Sequence, residues 1–321
     1  MSNRDLAFLS TTEQKQLIRT KMLSPVELTE LYLDRINRLD PKLNSYLTVC
    51  HEEALASAKL AEEAVVQGNN LGPLHGIPVS IKDLENTQGI QTTSGSLIYK
   101  DRIPQNDSLV VERIRSSGAI ILGKTNTPEF GLLARTENML APPCNNPWNT
   151  SRTSGGSSGG AASAVASGLC SLSTGSDGGG SIRIPSSFCG VYGIKPTQNR
   201  VPYYQGRDQP FIANLFSQSG PIGRSVRDCA LLLQVLSGHD YRDPSSLHES
   251  PKNYLEAANL ETAEFRIGWS ADFSYAPVDN EVLHTAFEST KVFENLGSKV
   301  DAVDISLDNN AFDSFWTLFS A

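Results

Sequence analysis

The sequence lacks the residue patterns that mark disulfide-rich proteins and metal enzymes. Its five cysteines are an odd number and contain no CxxC pair, which argues against both a disulfide framework and a zinc site. Its five histidines show neither the HExxH nor the HxH spacing of metal ligands. We therefore expect buried free thiols, no bound metal and no cofactor.

The sequence also shows no long hydrophobic run, no signal-peptide pattern in its first residues and no cluster of basic residues. Of the 321 residues, 39% are apolar and 19% charged, and the formal net charge is -8. The first residues, MSNRDLAFLSTTEQKQ, do not show the charged-then-apolar order of a signal peptide. Scattered basic residues give no electrostatic footprint for nucleic acid or an anionic membrane. We expect a globular, cytoplasmic protein with enough chain for a sizeable core.

Helix and strand signals alternate along the chain. Ser24 is followed by a proline at the first helical position and by Glu27 three residues after the cap, which predicts a capping box and a helix over residues 25–39. Further segments have strand or helix patterns, with strands at 45–50, 77–81 and from 119, and helices at 52–67, 108–117, 225–238 and 279–295. This alternation predicts an α/β fold with a mixed, largely parallel twisted central sheet covered by helices on both faces.

A glycine- and serine-rich stretch over residues 153–190 is the most unusual part of the sequence. Nine glycines and seven serines lie between Gly155 and Gly180, a composition typical of flexible linkers. The same stretch contains Val165, Leu169 and Leu172, which would have no use in a solvated linker. We therefore interpret it as part of a folded site.

The residues around this stretch exclude two other interpretations, a phosphate-binding loop and the nucleophile turn of an α/β-hydrolase. A phosphate-binding loop of the GxxxxGK type needs a lysine next to the glycines, but none occurs between Lys124 and Lys195. The GxSxG match around Ser158 would make that serine the nucleophile of an α/β-hydrolase, with a histidine downstream. Such an elbow must follow a buried strand, and the preceding residues WNTSRTSG do not form one.

The remaining interpretation is a catalytic loop built around Ser181. In the segment GSDGGGSIRIP, consecutive glycines precede this serine, so several backbone N–H groups can converge on one point beside its hydroxyl. An oxyanion hole and a nucleophile can be formed from one loop in this way. We expect a helix to begin at Ser181 and to add a favourable field there.

Together with GGSSGG at 155–160, GIKPT at 193–197 and GIPVSIKD upstream, this segment resembles the amidase signature family. The resemblance covers most of the chain, from the SPVE helix to the GPIGRSVRD helix and the FRIGWS strand. Three separated motifs occur in the family order, with spacings of 75 residues (157 minus 82) and 24 residues (181 minus 157). The family is therefore indicated with high specificity.

The resemblance implies a Ser–Ser–Lys triad, with a serine beside a cis peptide bond between the nucleophile and the base. Carried onto this chain, Ser181 is the nucleophile, Ser157 the bridging serine and Lys82 the base. The implied oxyanion hole consists of the backbone N–H groups of Gly178, Gly179, Gly180 and Ser181. Supporting roles fall on Ser158 beside the bridging serine, and on Asp177 and Arg183, which are expected to hold the two glycine-serine loops together.

A lysine base must lose its proton near neutral pH. Because the ordinary pKa of lysine is about 10.4, Lys82 needs burial or a positive field to act as a base. Its place at the end of the apolar segment IPVSI is consistent with burial. We expect the neighbouring Asp83 to point away from it or to pair elsewhere.

The resemblance also carries expectations for domains and assembly. It implies one amidase-signature domain over residues 1–321, with an N-terminal helical region at 1–70, a catalytic core at 71–240 and the start of the C-terminal half at 241–321. Family members continue beyond the position of Ala321, so a C-terminal part of the fold is expected to be missing. A homodimer is among the assemblies that the resemblance allows.

The implied reaction is hydrolysis of an amide C–N bond through a Ser181 acyl-enzyme, and esters and carbamates are further substrate classes. Two alternatives stay open: an amidotransferase A-type subunit that uses glutamine with partner subunits, and an inactive truncated relative. Six residues in two loops suggest an apolar or aromatic acyl site, with packing inside the protein as the alternative role: Met139, Leu140, Tyr203, Tyr204, Phe211 and Phe216.

Overall fold

The structure is a computed structural model that describes residues 3–69, 71–206, 216–260, 264–306 and 310–319. Its internal contacts divide the chain into two compact units, Met1–Asn259 and Leu260–Ala321. The partition of a single domain into the regions 1–70, 71–240 and 241–321 stays a prediction.

The first unit contains nine α-helices and six strands among its described residues. The helices are α1 Asn3–Phe8, α2 Thr11–Arg19, α3 Pro25–Leu43, α4 His51–Gln67, α5 Leu109–Ser116, α6 Gly159–Ala166, α7 Arg183–Cys189, α8 Val226–Leu236 and α9 Tyr254–Ala257. The strands are β1 Tyr46–Val49, β2 Pro78–Lys82, β3 Ile120–Thr125, β4 Leu172–Asp177, β5 Tyr192–Gly193 and β6 Gln218–Gly223.

The six strands form one mixed sheet in the order β1-β3-β2-β4-β6-β5. Strand β2 pairs in parallel with both β3 and β4, while β1, β5 and β6 join by antiparallel pairing. The parallel strands therefore lie at the centre, and the predicted mixed α/β fold is confirmed. The central strands β2 and β3 are buried along their whole length, as expected for parallel strands inside an α/β protein.

The local signals for α3 act as predicted. The Ser24 side chain accepts from the backbone of Val26 and Glu27, and the Glu27 side chain accepts from the Ser24 N–H, which completes the capping box. The helix runs four residues past the predicted end and includes Pro41. It ends at Asn44, whose φ of 55° lies in the left-handed region that terminates helices.

Helix α6 consists of small residues and packs closely against the central sheet. It contacts β2, β3, β4 and β6, and every residue from Gly159 to Val165 is buried. A Cβ on Gly160 would lie 2.4 Å from the backbone nitrogen of Asn126 and 2.5 Å from the carbonyl oxygen of Ser45. This close approach brings the residues just before α6 into contact with the end of β2.

The second unit contains a strand, helix, strand sequence followed by a further helix. Strand β7 Arg266–Trp269 pairs in parallel with β8 Lys299–Ala302, and α10 Asn280–Asn295 connects them. The fourth element is α11 Ala311–Phe319. The predicted FRIGWS strand and the predicted helix at 279–295 are confirmed as β7 and α10. None of the described helices, in either unit, has the length and apolar character needed to cross a bilayer.

We expect Gly160→Ala to lower the free energy of unfolding by about 1–3 kcal/mol, because the added methyl group would overlap backbone atoms that cannot move aside. Gly68→Ala is the matched control. A Cβ there meets nothing within 4 Å, although φ is +73°, so its cost is limited to about 1–2 kcal/mol for the left-handed backbone. Urea unfolding measures both. A Gly160→Ala protein as stable as the wild type would contradict this packing.

Candidate active site

Lys82 lies at the end of β2, where the sheet begins to open. Strands β2 and β4 pair only through Val79 with Leu172 and Ser80 with Ser173. Beyond this point the Lys82 N–H donates to the side-chain hydroxyl of Thr174 over 2.9 Å instead of to a backbone carbonyl. The opening gives the Lys82 side chain space between the strands, where it is fully buried.

Hydroxyl groups surround the amine of Lys82. Its Nζ lies 2.7 Å from Ser157 Oγ, 2.9 Å from Ser158 Oγ and 3.0 Å from Ser176 Oγ, and 3.4 Å from the Ser176 carbonyl oxygen. The structure thus brings together Lys82 and the predicted bridging serine, which are 75 residues apart in sequence. It also places the predicted supporting residue Ser158 on the same amine.

Burial changes the acid–base behaviour of this lysine. Loss of hydration lowers the pKa of Lys82 to about 7, although the negative charges of Glu85 and Asp177 act in the opposite direction. A group with a pKa near the working pH is well suited to accept and return a proton. At neutral pH a large share of Lys82 is therefore the free amine.

Asp83 turns away from Lys82, and the prediction that it pairs elsewhere is confirmed. Its carboxylate accepts from the Thr93 N–H over 3.0 Å and lies 3.7 Å from Nζ of Lys124. Burial raises the pKa of Asp83, with Lys124 and Thr93 opposing this effect. The charge that is closest to Lys82 in sequence therefore faces a different cation.

Ser157 and Ser158 lie in the loop that leads into α6. The peptide bond between Gly156 and Ser157 is cis, as the resemblance implied for the bridging serine. The loop is held by Thr136, whose hydroxyl donates to the Gly155 carbonyl over 2.8 Å and accepts from the Gly159 N–H over 3.1 Å. Ser157 and Ser158 are both buried, so their positions are set by the protein rather than by solvent.

Ser181 joins this loop through its backbone. Its carbonyl oxygen accepts from the Ser158 N–H over 3.1 Å, and the residue is half-buried. Within the described ranges, the Ser181 hydroxyl forms no hydrogen bond, so it is not bonded to Ser157 in this geometry. Helix α7 begins at Arg183, two residues later than predicted, although the Ile184 N–H already donates to the Gly180 carbonyl over 2.7 Å in the helical pattern.

Asp177 organises the loop that carries Ser181. Its two oxygens accept from the backbone N–H groups of Gly180 (2.7 Å), Ile182 (3.1 Å) and Arg183 (3.3 Å), and from the Arg183 guanidinium at 2.9 and 2.8 Å. Burial alone would raise the pKa of Asp177, but these donors outweigh it and lower the pKa to about 2. Asp177 and Arg183 thus hold one loop, while the Ser158 to Ser181 bond joins the two loops.

The Gly180 N–H is committed to Asp177, and this changes the predicted set of oxyanion donors. Within the described residues, the N–H groups of Gly178, Gly179 and Ser181 make no such bond. Gly179 is exposed and Gly178 half-buried, so solvent reaches this part of the loop. Three of the four predicted donors, the N–H groups of Gly178, Gly179 and Ser181, therefore stay open to an oxygen of a substrate. The fourth, the Gly180 N–H, bonds to Asp177 and stiffens the loop.

Three hydroxyl residues in the site were not predicted from sequence. Ser176 and Thr174 contact Lys82 from β4, and Thr136 holds the loop before Ser157. The alternation of Thr174, Ser176 and the intervening Gly175 in β4 was an available signal, because residues two apart share a face of a strand. Thr136 lies in an irregular segment and offered no such signal.

Other sequence expectations concern metals, thiols and the acyl site. The described residues contain no group of three or more His, Cys, Asp or Glu side chains placed to hold a metal ion. All five cysteines are free and buried, as expected. Of the predicted acyl-site residues, Phe211 lies outside the described residues, and Met139 is 82% exposed.

Comparison with known proteins identifies the family. The sequence matches the amidase family over residues 27–321. It is 38% identical over 320 residues to an acylamidase from Rhodococcus erythropolis, and this alignment covers 99% of the present chain and 66% of the relative. This chain belongs to the amidase signature family.

Two further relatives extend the comparison to another activity and to solved structures. The glutamyl-tRNA(Gln) amidotransferase A subunit of Carboxydothermus hydrogenoformans is 39% identical over 94% of this chain and 61% of its own length. The crystal structure of a bacterial aryl acylamidase of the amidase signature family superimposes with a TM-score of 0.87 at 34% identity, over 92% of this chain and 61% of that one. The chain thus spans less than two thirds of the length of these relatives.

We expect Asp177→Asn to lower the free energy of unfolding by about 1.5–3 kcal/mol, because it removes the charge of a buried carboxylate that accepts three backbone N–H groups and the guanidinium of the exposed Arg183. Asp34→Asn is the control, since Asp34 pairs with Arg38 on the surface and both side chains are more than half exposed. Its effect should stay within about 0.5 kcal/mol. Urea unfolding at pH 7 compares them, and equal losses would show that Asp177 does not hold the loop.

Proposed function

We propose that this chain is an amidohydrolase of the amidase signature family that cleaves carboxylic amide C–N bonds through a Ser181 acyl-enzyme. The observation that carries the proposal is the 2.7 Å contact between Lys82 Nζ and Ser157 Oγ, both of which are buried. The next residue, Ser158, donates its backbone N–H to the Ser181 carbonyl and so joins this pair to Ser181. A serine hydroxyl becomes an effective nucleophile only when a base removes its proton. Lys82, with its lowered pKa, supplies that base.

In the first step the Ser181 oxygen attacks the amide carbonyl carbon. The Ser181 proton passes to Ser157, whose own proton passes to Lys82. The tetrahedral intermediate then collapses: the C–N bond breaks, and the proton returns through Ser157 to the leaving nitrogen. Each transfer needs a hydrogen bond of about 2.6–3.2 Å, so the Ser181 side chain must turn toward Ser157 when substrate binds. Water then attacks the ester by the same route and releases the carboxylic acid.

The negative charge that forms on the carbonyl oxygen is held by backbone N–H groups of Gly178, Gly179 and Ser181. These donors belong to a loop that Asp177 fixes before the substrate arrives, so little reorganisation is needed during the reaction. Pre-oriented donors of this kind are usually the largest single contribution to catalysis of acyl transfer. Neither a metal nor a cofactor enters this scheme.

The relatives support a proposal for the substrate class. An acylamidase and an aryl acylamidase are among the similar proteins, so we place small-molecule acyl amides first, with esters and carbamates as further substrates. Nucleic acid and membranes are not proposed partners. The proposed location is the cytoplasm, and a homodimer is one proposed assembly.

A second candidate is an amidotransferase A-type subunit. Several glutamyl-tRNA(Gln) amidotransferase A subunits are 36 to 41% identical to this chain, which favours this candidate for the same Ser181 chemistry. In that case glutamine would be the amide, and partner subunits would be required. Ammonia release from glutamine only in the presence of such subunits distinguishes the two functions.

We expect a serine-reactive fluorophosphonate to label the purified chain once, on Ser181, because Ser181 is the proposed nucleophile and is half-buried, whereas Ser157 and Ser158 are buried. Ser181→Ala should abolish both the adduct and amide hydrolysis. Ser187→Ala is the control, as this serine lies exposed on α7. Intact mass and peptide mapping measure the adduct. A folded protein without an adduct would instead favour an inactive relative.

Hydrolysis should increase with pH and reach half of its limiting kcat/KM near pH 7. Below the pKa of about 7 Lys82 is an ammonium ion and cannot accept a proton, and above it Lys82 is the free amine. Lys82→Ala should lower kcat by about 10²–10⁴-fold, while Lys100→Ala, on the surface, should not. A pH-rate profile that is flat between about pH 5.5 and 8.5 would contradict a titrating lysine base.

A further inference from the structure

The neutral amine of Lys82 can donate to only two of the three hydroxyl oxygens around it. A neutral amine offers two N–H donors and a single lone pair, while three hydroxyl oxygens lie within 3.0 Å of Nζ, on Ser157, Ser158 and Ser176. For Lys82 to accept the Ser157 proton, its lone pair must face Ser157. The two N–H bonds must then point at the other two oxygens.

Ser158 is fixed as an acceptor from this amine. Its hydroxyl hydrogen donates to the Ser176 carbonyl oxygen over 3.3 Å, and its oxygen also accepts from the Ser176 N–H over 3.3 Å. Ser158 therefore has no second hydrogen to offer to Nζ and takes one N–H from Lys82. The direction of the lone pair then depends on whether Ser176 accepts the other N–H.

Strand β4 contacts Lys82 at its backbone N–H and at its side-chain amine. Thr174 and Ser176 are two residues apart and share one face of the strand. Thr174 Oγ1 accepts from the backbone N–H of Lys82 over 2.9 Å, and Ser176 Oγ lies 3.0 Å from its Nζ. The strand thus fixes the start and the tip of one side chain.

We propose that Ser176 is a positioning residue that accepts an N–H of Lys82 and thereby turns the lysine lone pair toward Ser157. The inference rests on the proposed function, since it concerns the base of that reaction. Ser176 neither gives nor takes a proton in this reaction and acts only through Lys82.

The charged groups around Lys82 do not provide this orientation. Glu85, in the turn after β2, accepts from Ser219 and Gln205, and Asp177 at the end of β4 pairs with Arg183. Lys124 on β3 pairs with Asp83. Glu85 and Asp177 act on Lys82 through their fields, whereas Ser176 is one of the oxygens in direct contact. Loss of this oxygen should disfavour the ammonium form more than the amine, because hydrogen bonds from charged groups are the stronger ones.

The test uses Ser176→Ala, and the volume-matched pair Ser176→Thr and Ser176→Val, of which only Thr keeps a hydroxyl. Ser173→Ala is the control: Ser173 is a serine of the same strand, β4, but donates to the Ser80 carbonyl. The first readout is the pH titration of the Lys82 13Cε signal in protein labelled with [13C]lysine, assigned by its absence in Lys82→Met. The second is kcat for an acyl amide at pH 9, where Lys82 is deprotonated.

Ser176→Ala and Ser176→Val should each lower the Lys82 pKa by roughly half a unit to one unit and lower kcat at pH 9 by about tenfold. Ser176→Thr and Ser173→Ala should keep the wild-type titration and most of the rate. A lower rate with an unchanged titration would indicate a merely structural role and overturn the proposal, as would an unchanged rate. If the wild type hydrolyses no amide and takes up no fluorophosphonate, the proposed function fails, and the titration alone decides whether Ser176 bonds to Lys82.

Discussion

The burial of one amine among serine hydroxyls is the constraint on which the rest of this site depends. An ammonium ion is costly to remove from water, so Lys82 loses much of its affinity for a proton and becomes a base near neutrality. The cost is limited because every neighbouring oxygen is a neutral acceptor. Carboxylates act on Lys82 only from a distance, since Asp83 is turned toward Lys124. The same environment would not work with an adjacent carboxylate, which would stabilise the charged form.

The sheet and the small-residue helix create this environment together. Strand β2 delivers Lys82 at the point where it parts from β4, and α6 brings Ser157 and Ser158 to the same point. Gly160 in the first turn of α6 allows a close approach to the backbone of Asn126, just after β3, and of Ser45, just before β1. Packing and chemistry are therefore linked, because the helix that fills the core also follows directly on the loop with Ser157, the bridging serine of the proposed proton relay.

How much of this was predictable from sequence depends on how local each signal is. The α3 capping box lies within four consecutive residues, and the strand that ends at Lys82 is a short alternating segment, so both were found. The family resemblance located Lys82, Ser157 and Ser181, and their catalytic roles stay proposals. The contact between Lys82 and Ser176 joins residues 94 positions apart, and no local pattern encodes it. The commitment of the Gly180 N–H to Asp177 depends on loop geometry that a run of three glycines leaves open.

Backbone donors have a consequence for how freely this loop can vary. The N–H groups proposed to hold the oxyanion do not depend on side chains, and the Asp177 carboxylate fixes the loop from behind. At Gly178 a Cβ would meet only ordinary van der Waals neighbours, with the nearest atom, Ser217 Cα, 3.6 Å away. Gly178 is thus a position where side chains of different size can be introduced. Such substitutions would alter which acyl groups fit at the rim of the proposed site, while the proposed donors and base stay in place.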